Sequence, residues 1–109
     1  MADFTKILQQ MQEMQTRMQT MRDELKAKRV SATAGGGMVT VEADGEGTVQ
    51  RVRIDPSVVN ASDVEMLEDL VTVAVAEAQK KAQALQQEEM GKVAGGLGLP
   101  GRLPFKLPF

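Results

Sequence analysis

Apolar residues recur along the first quarter of the chain in alternating steps of three and four, at Phe4, Ile7, Met11, Met14, Met18, Met21 and Leu25. In heptad terms Phe4, Met11, Met18 and Leu25 take the a positions, and Ile7, Met14 and Met21 the d positions. Such a pattern predicts a long helix whose narrow seam meets a partner helix. Asp3 suits the positive start of this helix, and Lys26, Lys28 and Arg29 suit its negative end. A helix of roughly 25 residues is nearly 40 Å long. That length overhangs any core that a 109-residue chain can build.

The rhythm changes after Arg29. Val30 to Ala34 reads as a short strand, and Gly35, Gly36 and Gly37 as a turn or bulge. From Met38 to Ala43 the residues alternate, with Val39, Val41 and Ala43 on one face and Thr40 and Glu42 on the other. Asp44-Gly45-Glu46-Gly47 has the composition of a hairpin loop. Thr48 to Ile54 alternates again, with Val52 and Ile54 facing one way and Arg51 and Arg53 the other. Asp55-Pro56 ends the strand, because proline cannot donate to a ladder. Three strands joined by tight loops predict an antiparallel meander.

A second helix is predicted from Asn60 to Met90. Ser62 with Glu65 fits a capping box, and Asp63 and Glu65 favour the positive helix end. Leu67, Leu70, Val71, Ala74, Ala78, Ala82 and Leu85 mark its buried stripe, with the alanines implying a close approach to the sheet or another helix. Val73 and Val75 are expected to widen that stripe against the sheet. From Gly91 the chain turns Gly- and Pro-rich, so the helix is expected to stop there. The expected organisation is one α+β domain over 1–90 and a flexible tail over 91–109. The tail's Leu-Pro dipeptides and two phenylalanines leave room for docking on a partner.

Composition narrows the chemistry. Aromatic residues are 3% of the chain, with no Trp or Tyr, so bulky core material is scarce and an oligomer would help to bury it. Neither cysteine nor histidine is present, which removes thiolate sites, disulfides and the commonest general base. No serine has a histidine partner, and no catalytic constellation emerges. The Gly35–Gly37 run lacks the Lys-Ser/Thr of a phosphate loop and leads into a strand, so it reads as a turn. The acidic stretches around Asp44 and Glu68 lack the ligand pattern of a calcium loop. Copper ligation by the methionines would leave Phe4, Ile7 and Leu25 unexplained, whereas a helix seam accounts for all seven residues. No cofactor, metal or small-molecule substrate is expected. The N-terminus turns polar too soon for a signal peptide, and no run is long enough for a membrane span, so a cytoplasmic protein is expected.

The net charge of −2 hides an uneven distribution. Residues 1–29 carry six basic and four acidic groups, residues 42–77 two and nine, and residues 80–109 five and two. Basic groups therefore gather on the two helices. Arg22, Lys26 and Arg29 follow one another at helical spacing, with Arg17 earlier on the same helix and Lys80 and Lys81 on the second helix. Solvated charges are the plain reading, and phosphate binding is the sharper one.

Taken with its residues, the helix–meander–helix order resembles the YbaB/EbfC family of bacterial nucleoid-associated proteins. The resemblance runs from "ILQQMQEMQTRMQTMRDELKAK" through "GGGMVTVEADGEGTVQRVRIDP" to "EMLEDLVTVAVAEAQKK", and the ending "GGLGLPGRLPF" is similar too. It departs at Ala76-Glu77, where the family often has an Asn-Asp pair. The resemblance implies a dimeric α-β-β-β-α protomer with a three-stranded antiparallel sheet and helical arms. It also implies DNA binding and nucleoid organisation, with effects on transcription. Charge and helix location nominate Arg17, Arg22, Lys26, Arg29, Lys80 and Lys81 as the contacts to DNA phosphates. A different class of function remains open at this point, an adaptor or small chaperone that holds an apolar partner along Met-lined arms.

Overall fold

A computed structural model describes the backbone of residues 2–96 and the side chains of residues 3–95. Helix α1 spans Ala2–Ala27, strands β1, β2 and β3 span Arg29–Ala34, Val39–Asp44 and Val49–Ile54, and helix α2 spans Val64–Gly96. The expected α+β order is therefore present. The sheet has the order β1-β2-β3, and both pairings are antiparallel. A bulge between Glu42 and Ala43 interrupts the β2–β3 ladder.

Each strand boundary has a local cause. Gly35, Gly36 and Gly37 all adopt positive φ, a backbone conformation that side chains with a Cβ resist. In the next loop one Asp44 carboxylate oxygen accepts the N–H groups of Glu46 (2.9 Å) and Thr48 (3.0 Å). This side chain thereby replaces the partners that the turning backbone lacks. After β3, Asp55 accepts the Ser57 N–H at 2.9 Å and opens a single 3₁₀ turn over Pro56–Val58.

The core lies between α2 and one face of β1 and β2. Val39, Val41 and Ala43 are fully buried, as the alternation predicts, and so are Ala74, Ala78 and Ala82. A methyl side chain every fourth residue lets the helix axis approach the pleated valines closely. Val75 packs against this core, but Val73 is exposed and does not extend the buried stripe as expected. Among the described residues no comparable cover lies over β3, so Val52 (41% exposed) and Ile54 (39% exposed) remain open on the core-side face.

Two boundaries of α2 differ from expectation. Its first turn is capped by Asp63, whose carboxylate accepts the Met66 N–H at 3.2 Å. The Ser62 side chain instead turns back to Asn60, donating its hydroxyl to the amide oxygen at 2.7 Å, and the expected capping box does not form. At the other end the helix continues through Gly91 to Gly96. One glycine in a helix costs only about 1 kcal/mol, and the surrounding Glu89–Lys92 ion pair and half-buried Val93 and Ala94 support the extra turn. The rest of the expected tail, 97–109, lies outside the described residues.

Helix α1 joins the body only at its end. Met21 and Leu25 are buried, and the Leu25 carbonyl accepts the Gly45 N–H at 2.8 Å. Lys28 then reaches Glu89 of α2 at 2.6 Å. From that anchor α2 continues for about 10 Å, while α1 extends back for about 39 Å at about 1.5 Å per residue. Roughly 28 Å of α1 therefore overhangs, in keeping with a molecule that measures 73 × 27 × 16 Å. The heptad seam is accordingly split. Met18, Met21 and Leu25 pack or half-pack, whereas Phe4, Ile7, Met11 and Met14 are exposed.

Candidate nucleic-acid interface

Six cations were nominated by charge and helical spacing, and the fold divides them. Arg17, Arg22 and Lys26 lie exposed on α1. Arg22 and Lys26 are one turn apart on the same flank, and Arg22 borders an open groove with Met11, Met14 and Met18. Arg17 falls on the opposite flank of the seam. The arm thus presents cations on both sides of an apolar stripe.

Arg29 does not continue the helical series. The helix ends at Ala27 and Arg29 opens β1. Its guanidinium donates to the carbonyls of Lys26 (2.7 Å) and Lys28 (3.0 Å), covering acceptors left open at the end of α1. Lys81 donates to the Ser31 carbonyl at 2.6 Å, along the β1 edge of the sheet. Lys80 is exposed on α2, away from the α1 arm. The nominated residues therefore form a group of three on α1, two cations partly engaged by backbone carbonyls, and one separate lysine.

Glu89 organises the junction between arm and body. It is 4% exposed and accepts from Lys28 at 2.6 Å and from Lys92 at 3.2 Å. The Lys28 hydrogen bond, followed by that of Lys92, holds the Glu89 carboxyl below its ordinary pKa, and the same contact raises that of Lys28. Charge on Lys28 is thus committed to the junction. Nothing local in the sequence marks this pair, because its members lie 61 residues apart.

Arg51 and Arg53, outside the nominated set, stand exposed on the sheet face opposite α2. The alternation of β3 is the signal that places them there. Among the described residues no group of acidic side chains is arranged to hold a metal ion, and no helix is long and apolar enough to cross a membrane.

The family model described as the YbaB/EbfC DNA-binding family matches residues 1–97. The chain belongs to that family. This YbaB/EbfC chain is 54% identical over 103 residues to a nucleoid-associated protein of Gemmatimonas aurantiaca, covering 94% of this chain and 99% of the relative. It is 43% identical over 105 residues to a nucleoid-associated protein of Nitrobacter winogradskyi, covering 96% and 99% of the two chains. In fold it is similar to the crystal structure of uncharacterized protein HP0035 from Helicobacter pylori. The TM-score is 0.70 at 21% identity, covering 86% of this chain and 95% of that one. The helix–meander–helix body and its projecting arm are thus a YbaB/EbfC fold.

Proposed function

We propose that this protein is a cytoplasmic, nucleoid-associated homodimer that binds DNA through its phosphates and organises the nucleoid, modulating transcription as a consequence. The observation that carries the reading is α1, whose overhanging part carries Arg17 beside an uncovered seam and whose anchored end exposes Arg22 and Lys26. The seam suits a second copy of the chain, and the cations suit phosphate oxygens. Lysine and arginine contacts of this kind position DNA without reading its bases, so sequence preference should be weak. Family membership and the names of the relatives support the same reading.

Fluorescence anisotropy of a labelled duplex over a salt series tests it. Each cation that neutralises a phosphate contributes about 0.9 to the slope of log affinity against log salt. Arg17→Ala/Arg22→Ala/Lys26→Ala should therefore flatten the slope by about three for each protomer engaged. Arg29 is left intact in this variant because its guanidinium also caps α1. Absence of wild-type binding at low salt would overturn the reading.

Exposure of Phe4, Ile7, Leu8, Met11 and Met14 favours one rival, an adaptor that holds an apolar protein segment along the arm. Nuclease-resistant capture of one specific protein, without affinity for free DNA, would select that rival.

A further inference from the structure

The sheet face turned away from α2 is polar throughout its two paired rows. In one row Thr33 lies across from Thr40, and Thr40 across from Arg53. The adjacent row on the same face runs Ser31, Glu42, Arg51. Thr33, Ser31, Arg51 and Arg53 are exposed, and Thr40 and Glu42 are half-buried. Because these rows carry no apolar side chain, packing another protein core on them would desolvate polar groups for little return. Hydrogen-bond donors dominate. Three hydroxyls and two guanidiniums stand against a single carboxylate.

The two arginines are also uncommitted. Among the described residues, ion pairs join Glu89 to Lys28 and Lys92, and none involves Arg51 or Arg53. Glu42 lies across from Arg51 in the register but does not pair with it within 4 Å. The other carboxylates near this face are occupied, Asp44 by the Glu46 and Thr48 N–H groups and the Gln50 amide, and Asp55 by the Ser57 N–H. Directly opposed residues on neighbouring strands have Cβ atoms about 4.5–5.5 Å apart. The row Thr33-Thr40-Arg53 therefore offers two hydroxyls and a planar fork with no opposing carboxylate, a donor set suited to phosphate oxygens.

We infer that this open sheet face is a second phosphate-binding surface, with Arg53 and Arg51 as its charged contacts and Thr40 and Thr33 as neutral donors. The inference rests on the proposed DNA binding and adds a surface that lies on the sheet and not on the helical arm. Threonine and serine side chains are too short to reach deep into a groove, so their contacts are with the DNA backbone, and Arg51 and Arg53 are assigned to the phosphates beside them. A protomer then holds a duplex at two places, by arm and by sheet. Glu42 acts as a local brake, since its charge repels an incoming phosphate.

The salt-series titration with Arg51→Gln/Arg53→Gln beside wild type tests this surface. The slope should flatten by about two for each protomer engaged, independently of duplex sequence. Arg51→Lys/Arg53→Lys keeps the charge and should retain most of the slope while binding several-fold more weakly, because lysine lacks the two-pronged fork. Glu42→Gln should tighten binding several-fold at low salt. Far-ultraviolet circular dichroism confirms folding of each variant, and Glu42→Gln tests the same face from the opposite direction. Wild-type binding whose slope is unchanged in the glutamine variant, or affinity unmoved by Glu42→Gln, overturns the sheet surface alone. Lack of wild-type binding would overturn it together with the proposed function.

Discussion

Glu89 shows how one carboxylate can decide the geometry of a whole arm. Its side chain is nearly buried between Lys28, just beyond α1, and Lys92, one turn further along α2. Hydrogen bonds from both lysines favour its ionised form. Asp44 is held by a different balance. Burial opposes its charge, but the Thr48 and Glu46 N–H groups and the Gln50 amide outweigh burial and lower its pKa. Asp55 is likewise lowered, by the Ser57 N–H and hydroxyl. In each case the folded state releases its proton more readily than the unfolded chain. At acidic pH the unfolded state therefore binds more protons, and stability rises with pH. These contributions are complete above the ordinary carboxylate range and are lost as pH falls through the lowered values. Raised Lys28 gives the mirror effect, lost only as pH climbs past its own elevated value. Urea midpoints across a pH series should fall steeply on the acid side, and Glu89→Gln should lower the midpoint at neutral pH and flatten that acid limb.

Gly45 is the second decisive residue. Its N–H is bonded to the Leu25 carbonyl, and an added Cβ would stand 2.6 Å from that same oxygen and 3.0 Å from the Leu25 Cα. Both obstacles are backbone, so no side-chain rotation relieves them. Gly45→Ala should destabilise the fold by about 2 kcal/mol, within the usual range for overpacking, as measured by urea denaturation. It should also loosen α1 from the hairpin, visible as faster amide exchange in the last turns of that helix.

At the scale of elements, α2 offers the opposite result for the same substitution. Gly91 lies inside the helix, and a Cβ there would meet nothing within 4 Å. Gly91→Ala should therefore stabilise the protein by about 0.5–1 kcal/mol, read as a higher urea midpoint with an unchanged transition slope. The contrast with Gly45 also marks what local sequence can disclose. Alternation placed Val39, Val41 and Ala43 inside, and four-residue spacing placed Ala74, Ala78 and Ala82 against them, because these periodicities are properties of the backbone itself. The stop expected at Gly91 did not occur, since one glycine's propensity is smaller than the packing and ion pairing around it. The cap moved from Ser62 to Asp63 because the Ser62 side chain turns back to Asn60 while the Asp63 carboxylate reaches the Met66 N–H. Arg29 left the helical series because the chain turns into β1 at the point where Leu25 meets Gly45. Likewise the arm cations Arg17, Arg22 and Lys26 were readable from helical spacing. Engagement of Lys81 by Ser31, or of Lys28 by Glu89, depends on contacts that only the folded chain brings together.

For the whole molecule the central question is what covers the overhanging arm. Phe4, Ile7, Met11 and Met14 continue the seam that Met18, Met21 and Leu25 begin, yet they face solvent in the single protomer, with Phe4 66% and Met11 56% exposed. Full burial of one such side chain is worth about 1.5–3 kcal/mol. In the proposed homodimer the stripe is contributed twice, and even partial cover of both arms outweighs the cost of ordering their side chains. Met11→Glu/Met14→Glu should consequently shift the protein from dimer to monomer in sedimentation at micromolar concentration. Protomer stability should barely change, because neither methionine belongs to the protomer core. DNA binding should weaken by more than the two added charges explain. Each copy carries a net charge of −2, so its long-range field does not attract DNA and affinity must come from local cationic surfaces held in register. In the proposed homodimer two linked protomers would engage one duplex at a high effective concentration, whereas a monomer would rely on its own arm and sheet alone. The salt slope of the monomeric variant should therefore fall to about half that of wild type. Persistence of the dimer in this variant would show instead that the copies are held by another surface, for which the uncovered Val52–Ile54 face of β3 is the first candidate.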